Sequence, residues 1–115
     1  MPPINRFSAP VDVLNYEIVQ EQAAALGRLG RGLEQALQAV RDFDAAHVGA
    51  AAARPPAERR ERAALVAGAG YALWMFVVQR EACGLRESHS LMRDYKVPAE
   101  VQERMGMFPV ARRAG

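Results

Sequence analysis

No group of side chains in this sequence has the spacing of a phosphate-binding loop or of a nucleophile elbow. Cys83 is the single cysteine of the 115-residue chain, and His89 follows it six residues later. A thiol in the last turn of a helix lies near the negative end of the helix dipole, which raises its pKa and disfavours the reactive thiolate. We therefore predict that Cys83 is a structural thiol and that the chain has no catalytic residue.

The sequence also lacks the convergent donors that a metal site requires. His47 follows Asp44 at helical spacing, but metal sites in helical bundles take carboxylates and histidines from several helices. We predict no metal and no cofactor, and we expect His47 to be a packed or interface histidine.

A polar cluster directly follows the most apolar stretch of the chain, where charges at the edge of the core need partners. Arginine binds carboxylates and phosphates through paired hydrogen bonds. Two interpretations stay open: an ion-pair network that locks short helices onto long ones, or a pocket for a small anion. The residues predicted to line that pocket are Arg80, Arg86, His89 and Tyr95.

The net charge of +2 is too small to indicate nucleic-acid binding by itself. One short stretch is basic, but glutamates interleave with its arginines, and we interpret it as a solvated helix face rather than a phosphate-binding patch. Glu100 and Glu103 in a short C-terminal helix would repel DNA phosphates, so nucleic-acid binding is a weak alternative. The arginines of the basic stretch are Arg54, Arg59, Arg60 and Arg62.

The elements that carry these residues are predicted to be helices, because the chain is rich in alanine and arginine and poor in strand-forming residues. Its length indicates one domain. We predict an N-terminal arm over residues 1–8, a helical domain over residues 9–106 and a frayed tail over residues 107–115. Ser8 and Pro10 suit a helix start near residues 9 to 11.

The first long helix is predicted from a seam of apolar residues that alternates steps of three and four between Val19 and His47. Gly27, Gly30 and Gly32 weaken that helix, and a break at Gly30 into two helices is the alternative. The seam keeps its register across the glycines, which favours one long helix with a close neighbour.

The second long helix is predicted from Pro56 to Cys83, with Gly84 as its C-terminal cap and a connection between Gly49 and Pro55. The two long helices are expected to form an antiparallel pair. Two short helices follow, one beginning after Ser88 and one after Pro98, and we expect them to fold over one end of the pair.

Every residue from 71 to 78 is apolar, so the second helix needs cover on more than one side. The uncharged stretch of residues 63–78 spans about 24 Å, shorter than a bilayer core of roughly 30 Å, and we predict no membrane span. A second copy of the chain would complete a four-helix bundle. The predicted homodimer interface comprises Leu26, Leu29, Leu33, Trp74 and Phe76.

The run ALWMFVVQREACGLR over residues 72–86, followed by MRDYKVP over residues 92–98, resembles a family of small bacterial proteins catalogued as a domain of unknown function. The resemblance covers mainly residues 60–106. It implies a soluble, helical, bacterial protein, and it implies no activity.

The sequence predicts one of two main function classes, and an enzyme ranks third. A homo-oligomeric interaction or scaffold module, with or without another protein partner, predicts no concave polar site and no perturbed titrating groups. A binding protein for a small anion predicts a pocket at one end of the bundle with convergent arginines. With a single cysteine and no basic, apolar leader, the chain is expected to be cytoplasmic.

Overall fold

The fold consists of helices, as the composition predicts. The computed structural model describes the backbone of residues 3–49 and 53–106 and the side chains of residues 10–49 and 53–106. Within these ranges there are four α-helices and no strand. They are α1 (Pro3–Ala46), α2 (Pro56–Ala82), α3 (His89–Asp94) and α4 (Ala99–Met105).

Helix α1 is one continuous helix of 44 residues, about 66 Å long at the usual rise per residue. The alternative of two helices broken at Gly30 is wrong. A Cβ atom at Gly30 would lie 2.8 Å from the Tyr95 hydroxyl and 3.3 Å from the Phe76 ring. The glycine therefore serves the close approach of other helices, not a turn.

The start of α1 differs from the prediction. The helix begins at Pro3, so residues 3–8 are helical and do not form an extended arm. Proline suits the first helical turn, because the amide hydrogen that it lacks has no partner there. Pro10 lies inside the helix and forgoes one backbone hydrogen bond. The frayed tail predicted over residues 107–115 lies outside the described residues.

Helix α2 ends just before Gly84, the residue predicted to cap it. Gly84 has a φ of +89°, a conformation that glycine adopts without penalty. Its amide donates to the carbonyl oxygen of Glu81 at 3.0 Å, and the amide of Leu85 donates to that of Arg80 at 2.7 Å. These two bonds form a Schellman motif, which satisfies the last carbonyl groups of the helix.

The segment that contains α3 and α4 runs back along the side of the long pair and does not fold over one end of it. Arg104 of α4 packs on Gly70 in the middle of α2, and the Tyr95 ring packs edge-on against Phe76 at 5.7 Å between ring centroids. One hydrophobic core joins all four helices; it contains Leu33, Leu37, Val40, Val66, Ala69, Leu73, Phe76, Leu91, Val97 and Val101.

The apolar stretch of α2 is therefore covered from within on one side. Leu73 and Phe76 are buried, whereas Tyr71 and Val78 remain 48% and 37% exposed. Of the predicted interface, Leu33 and Phe76 lie in the chain's own core, which leaves these two no surface for a second copy. By length and composition alone, α2 is also long and apolar enough to cross a membrane.

Helix α1 extends well beyond the core that it forms with α2. Leu26 is the most N-terminal residue of α1 that packs against the core cluster. Every residue from Pro10 to Glu21 is exposed. We refer to residues 10–21 as the overhang.

Candidate functional site: an arginine-rich cavity

A cavity lies where the C-terminal end of α1, the connection before α2, the first turns of α2 and helix α4 meet. Its volume is about 800 Å³, within the usual range for small-molecule sites. It is lined by Asp44, Arg54, Arg59, Arg62, Ala63, Val66, Glu100 and Arg104.

The α2 residues of this lining share one helix face, because Arg59, Arg62 and Val66 follow each other at steps of three and four. Arg60 is exposed and does not line the cavity. Helix α4 supplies Glu100 and Arg104, one turn apart.

Arg62 connects three helices at this cavity. Its Nε and Nη2 atoms donate to the two carboxylate oxygens of Asp44 on α1 at 2.7 and 3.1 Å. Its Nη1 and Nη2 atoms donate to the two carboxylate oxygens of Glu100 on α4 at 2.9 and 2.7 Å. Four of the five guanidinium hydrogens are thus committed. Arg62 is a positioning residue that holds the cavity walls together.

The same hydrogen bonds set the protonation of the two carboxyl groups. The hydrogen bond from Arg62 lowers the pKa of Asp44, and the charges of Arg62 and Arg54 act in the same direction. The hydrogen bond from Arg62 likewise lowers the pKa of Glu100. Together the two carboxylates raise the pKa of Arg62. All three groups are therefore charged at neutral pH.

Arg54 lies in the connection between α1 and α2, and three contacts hold its guanidinium group in place. Its Nη2 atom donates to the carbonyl oxygen of His47 at 3.2 Å and lies 3.7 Å from Asp44. Its guanidinium carbon is 5.7 Å from the centre of the Phe43 ring, a cation–π distance. The Nε atom is buried without a hydrogen-bond partner, an arrangement that costs free energy unless a ligand or water supplies an acceptor.

The cavity carries a surplus of positive charge. Four guanidinium groups line it against two carboxylates, and both carboxylates are engaged by Arg62. Arg59 donates to the backbone carbonyl of Arg54, a bond that leaves its charge uncompensated. Arg104 is exposed at the opposite wall.

A single family model matches residues 3–113, which is nearly the whole chain. The chain belongs to a family of unknown function, DUF6665. This membership confirms the resemblance to an uncharacterised domain family. No curated protein and no solved structure matches the sequence of this DUF6665 chain.

The structure does not bring the four predicted pocket residues of the DUF6665 chain into this cavity. The Arg80 Nη2 atom donates to the Glu87 carbonyl at 2.9 Å, and its guanidinium lies 5.9 Å from the centre of the Phe76 ring. Arg86 and His89 are exposed. Tyr95 packs against Phe76 and lines a smaller cavity beside Arg41.

Three of the cavity arginines, Arg54, Arg59 and Arg62, belong to the basic stretch for which the sequence predicts a solvated helix face. The signal for another interpretation was the spacing of Arg59, Arg62 and Val66, which separates them from Arg60. No sequence pattern connects Asp44, Glu100 or Arg104 with α2, because only tertiary contacts bring these residues to that helix.

Proposed function

We propose that this DUF6665 protein binds a small organic anion with at least two negative charges in the arginine-rich cavity. The surplus of guanidinium groups over carboxylates around one concave site carries this proposal. Guanidinium groups recognise phosphate and carboxylate through paired, charge-assisted hydrogen bonds.

The lining also indicates the form of the ligand. Arg54, Arg59 and Arg104 offer positive charge, whereas Ala63 and Val66 offer apolar contact. A ligand with an anionic head and a compact apolar part would match both. A single inorganic ion would fill little of a cavity of about 800 Å³.

The protonation states favour binding over catalysis. A general base works best with a pKa near the operating pH. The pKa values of Asp44 and Glu100 are lowered by Arg62, which makes both carboxylates weak bases at neutral pH. The proposal therefore concerns a binding protein, and it takes its chemistry from the ligand-binding alternative of the sequence analysis at a different set of arginines.

Calorimetric titration with phenyl phosphate, inorganic phosphate and phenol tests the proposal. We expect saturable binding of phenyl phosphate, weaker binding of inorganic phosphate and none of phenol. Arg59→Ala and Arg104→Ala should each weaken phenyl phosphate binding by about tenfold or more, since each removes a charge-assisted contact.

Arg60→Ala is the matched control, because Arg60 lies on α2 beside Arg59 but outside the cavity. It should leave the dissociation constant unchanged. Equal weakening by Arg60→Ala, or the absence of saturable heat with both phosphates, would refute the proposed site.

A further inference from the structure

A second apolar stripe runs along α1, beside the face that packs on α2. Its positions follow each other at steps of three or four, the spacing of a helix-pairing seam, with one polar member, Gln22; they are Val11, Leu14, Ile18, Gln22, Ala25, Leu29, Gly32 and Ala36. Its N-terminal part, Val11, Leu14 and Ile18, is 60%, 56% and 47% exposed. We call this the outer stripe.

The outer stripe changes from large to small side chains along the helix. Three large residues lie in the overhang, and the small ones, Ala25, Gly32 and Ala36, follow it and are partly exposed. Leu29 is the one large residue among them, and both Leu29 and Ala36 also pack against the chain's own core. A Cβ atom added at Gly32 would meet nothing within 4 Å. Open space above small residues is what the large residues of another helix require.

An antiparallel twofold arrangement matches two of the large residues to small ones. If the twofold axis passes midway between Gln22 and Ala25, Val11 of each copy lies opposite Ala36 of the other. Leu14 then lies close to Gly32. Ile18 lies opposite Leu29, which is partly buried. The stripe is thus complementary to itself, as a twofold interface must be.

Charges beside the outer stripe have a complementary order in the same register. Glu17 and Glu21 come first along α1, and Arg28 and Arg31 follow. The antiparallel arrangement brings Glu21 of one copy near Arg28 of the other, and Glu17 near Arg31. Within one chain, Arg28 approaches Glu21 at 3.5 Å while both side chains stay more than half exposed. They therefore remain accessible to a second copy.

We infer that two copies of this chain pair antiparallel through the outer stripes of their α1 helices. The pairing covers both overhangs, which no other part of the described chain contacts closely enough to bury. It uses none of the residues that line the arginine-rich cavity, so the substitutions that test it differ from those that test anion binding. It also differs from the interface predicted around Trp74 and Phe76.

Sedimentation equilibrium of the full chain over a range of concentrations tests the inference. The wild-type protein is expected to be a reversible dimer. Gly32→Leu fills the open space that Leu14 of the second copy would occupy, and it should raise the dimer dissociation constant by about tenfold or more. Its circular dichroism should stay helical, because leucine favours helices and a Cβ atom added at this position meets nothing within 4 Å.

Gly68→Leu is the matched control. Gly68 is an exposed helical glycine that, like Gly32, has nothing within 4 Å of an added Cβ, and it lies on α2 rather than on the outer stripe of α1. This variant should dimerise like the wild type. Equal effects of the two substitutions would contradict the α1 interface.

Charge reversal tests the register. Glu21→Arg or Arg28→Glu alone places like charges together and should weaken the dimer, whereas both substitutions in one chain should restore it. A chain that stays monomeric up to about 1 mM, or a dimer that ignores all of these changes, overturns the inference.

Discussion

At the scale of single residues, Arg62 decides how the cavity is built. One planar guanidinium satisfies two carboxylates in paired geometry, which a lysine ammonium cannot reproduce. The sequence shows that Arg62 is basic, but it does not show that Asp44 and Glu100, 18 and 38 residues away, are its partners.

Replacing Arg62 should therefore cost stability and change its pH dependence. Arg62→Met is expected to lower the free energy of unfolding near neutral pH by roughly 1 to 2 kcal/mol, because two partly exposed, paired contacts are lost. Denaturant unfolding followed by circular dichroism measures this loss. Arg60→Met, on the exposed side of the same turn, should change stability little.

The sign of the pH effect follows from the lowered pKa values of Asp44 and Glu100. The folded state then binds fewer protons than the unfolded state in acid, so the stabilisation is present above the ordinary carboxyl pKa values. It is lost as the pH falls from about 5 through the lower folded values. Arg62→Met should show a flatter decline over this range. A wild-type decline in the variant would contradict the assigned cause.

At the scale of elements, two glycines on α2 have different roles. Packing between helices requires one of them, whereas the other only lowers helix propensity. A Cβ atom at Gly70 would lie 2.8 Å from the Cβ and 3.1 Å from the backbone carbonyl carbon of Arg104, whereas one at Gly68 would meet nothing within 4 Å. Gly70 is thus the point where α4 approaches α2. Both glycines look alike in the sequence, because each interrupts an alanine-rich helix.

The two glycine-to-alanine substitutions should have opposite effects. Gly70→Ala is expected to destabilise the fold by roughly 1 to 3 kcal/mol, because α4 must move away from α2. Gly68→Ala should stabilise it by up to about 1 kcal/mol through helix propensity. Thermal unfolding of both variants beside the wild type measures the difference, and a shift of equal sign in both would contradict the close approach at Gly70.

At the scale of the whole molecule, the chain is elongated. Its radius of gyration is 19.5 Å, against about 13 Å for a compact domain of this length. The difference arises because α1 is longer than α2 and continues past the shared core. The core and the cavity occupy one end of the molecule, and the overhang occupies the other.

Hydrogen exchange should divide α1 at this boundary. In protein diluted well below the dimer dissociation constant, the amides of residues 10–21 should exchange much faster than those of residues 33–43, which pack in the core. Raising the concentration should slow exchange in the overhang selectively. Uniform protection along α1 at high dilution would show that the overhang is covered within one chain.

The all-helical fold, the limits of α2 and the two short helices are predictable from the amino-acid sequence alone. These features depend on local signals, namely apolar periodicity, proline at helix starts and glycine after helix ends. The predicted start of α1 is wrong because Pro2 and Pro3 favour an extended arm and Pro10 favours a helix start near it, whereas a proline in the first turn of a helix costs little.

The covered helix faces and the convergence of the arginines depend instead on contacts between helices. The return of α3 and α4 along α2 buries Phe76 within the chain and joins Arg62 to Glu100. Such contacts link residues far apart in sequence, and their free energy depends on packing and charge geometry that periodicity does not encode. For this reason periodicity alone does not predict the cavity at the N-terminal end of α2, which lies away from Arg80.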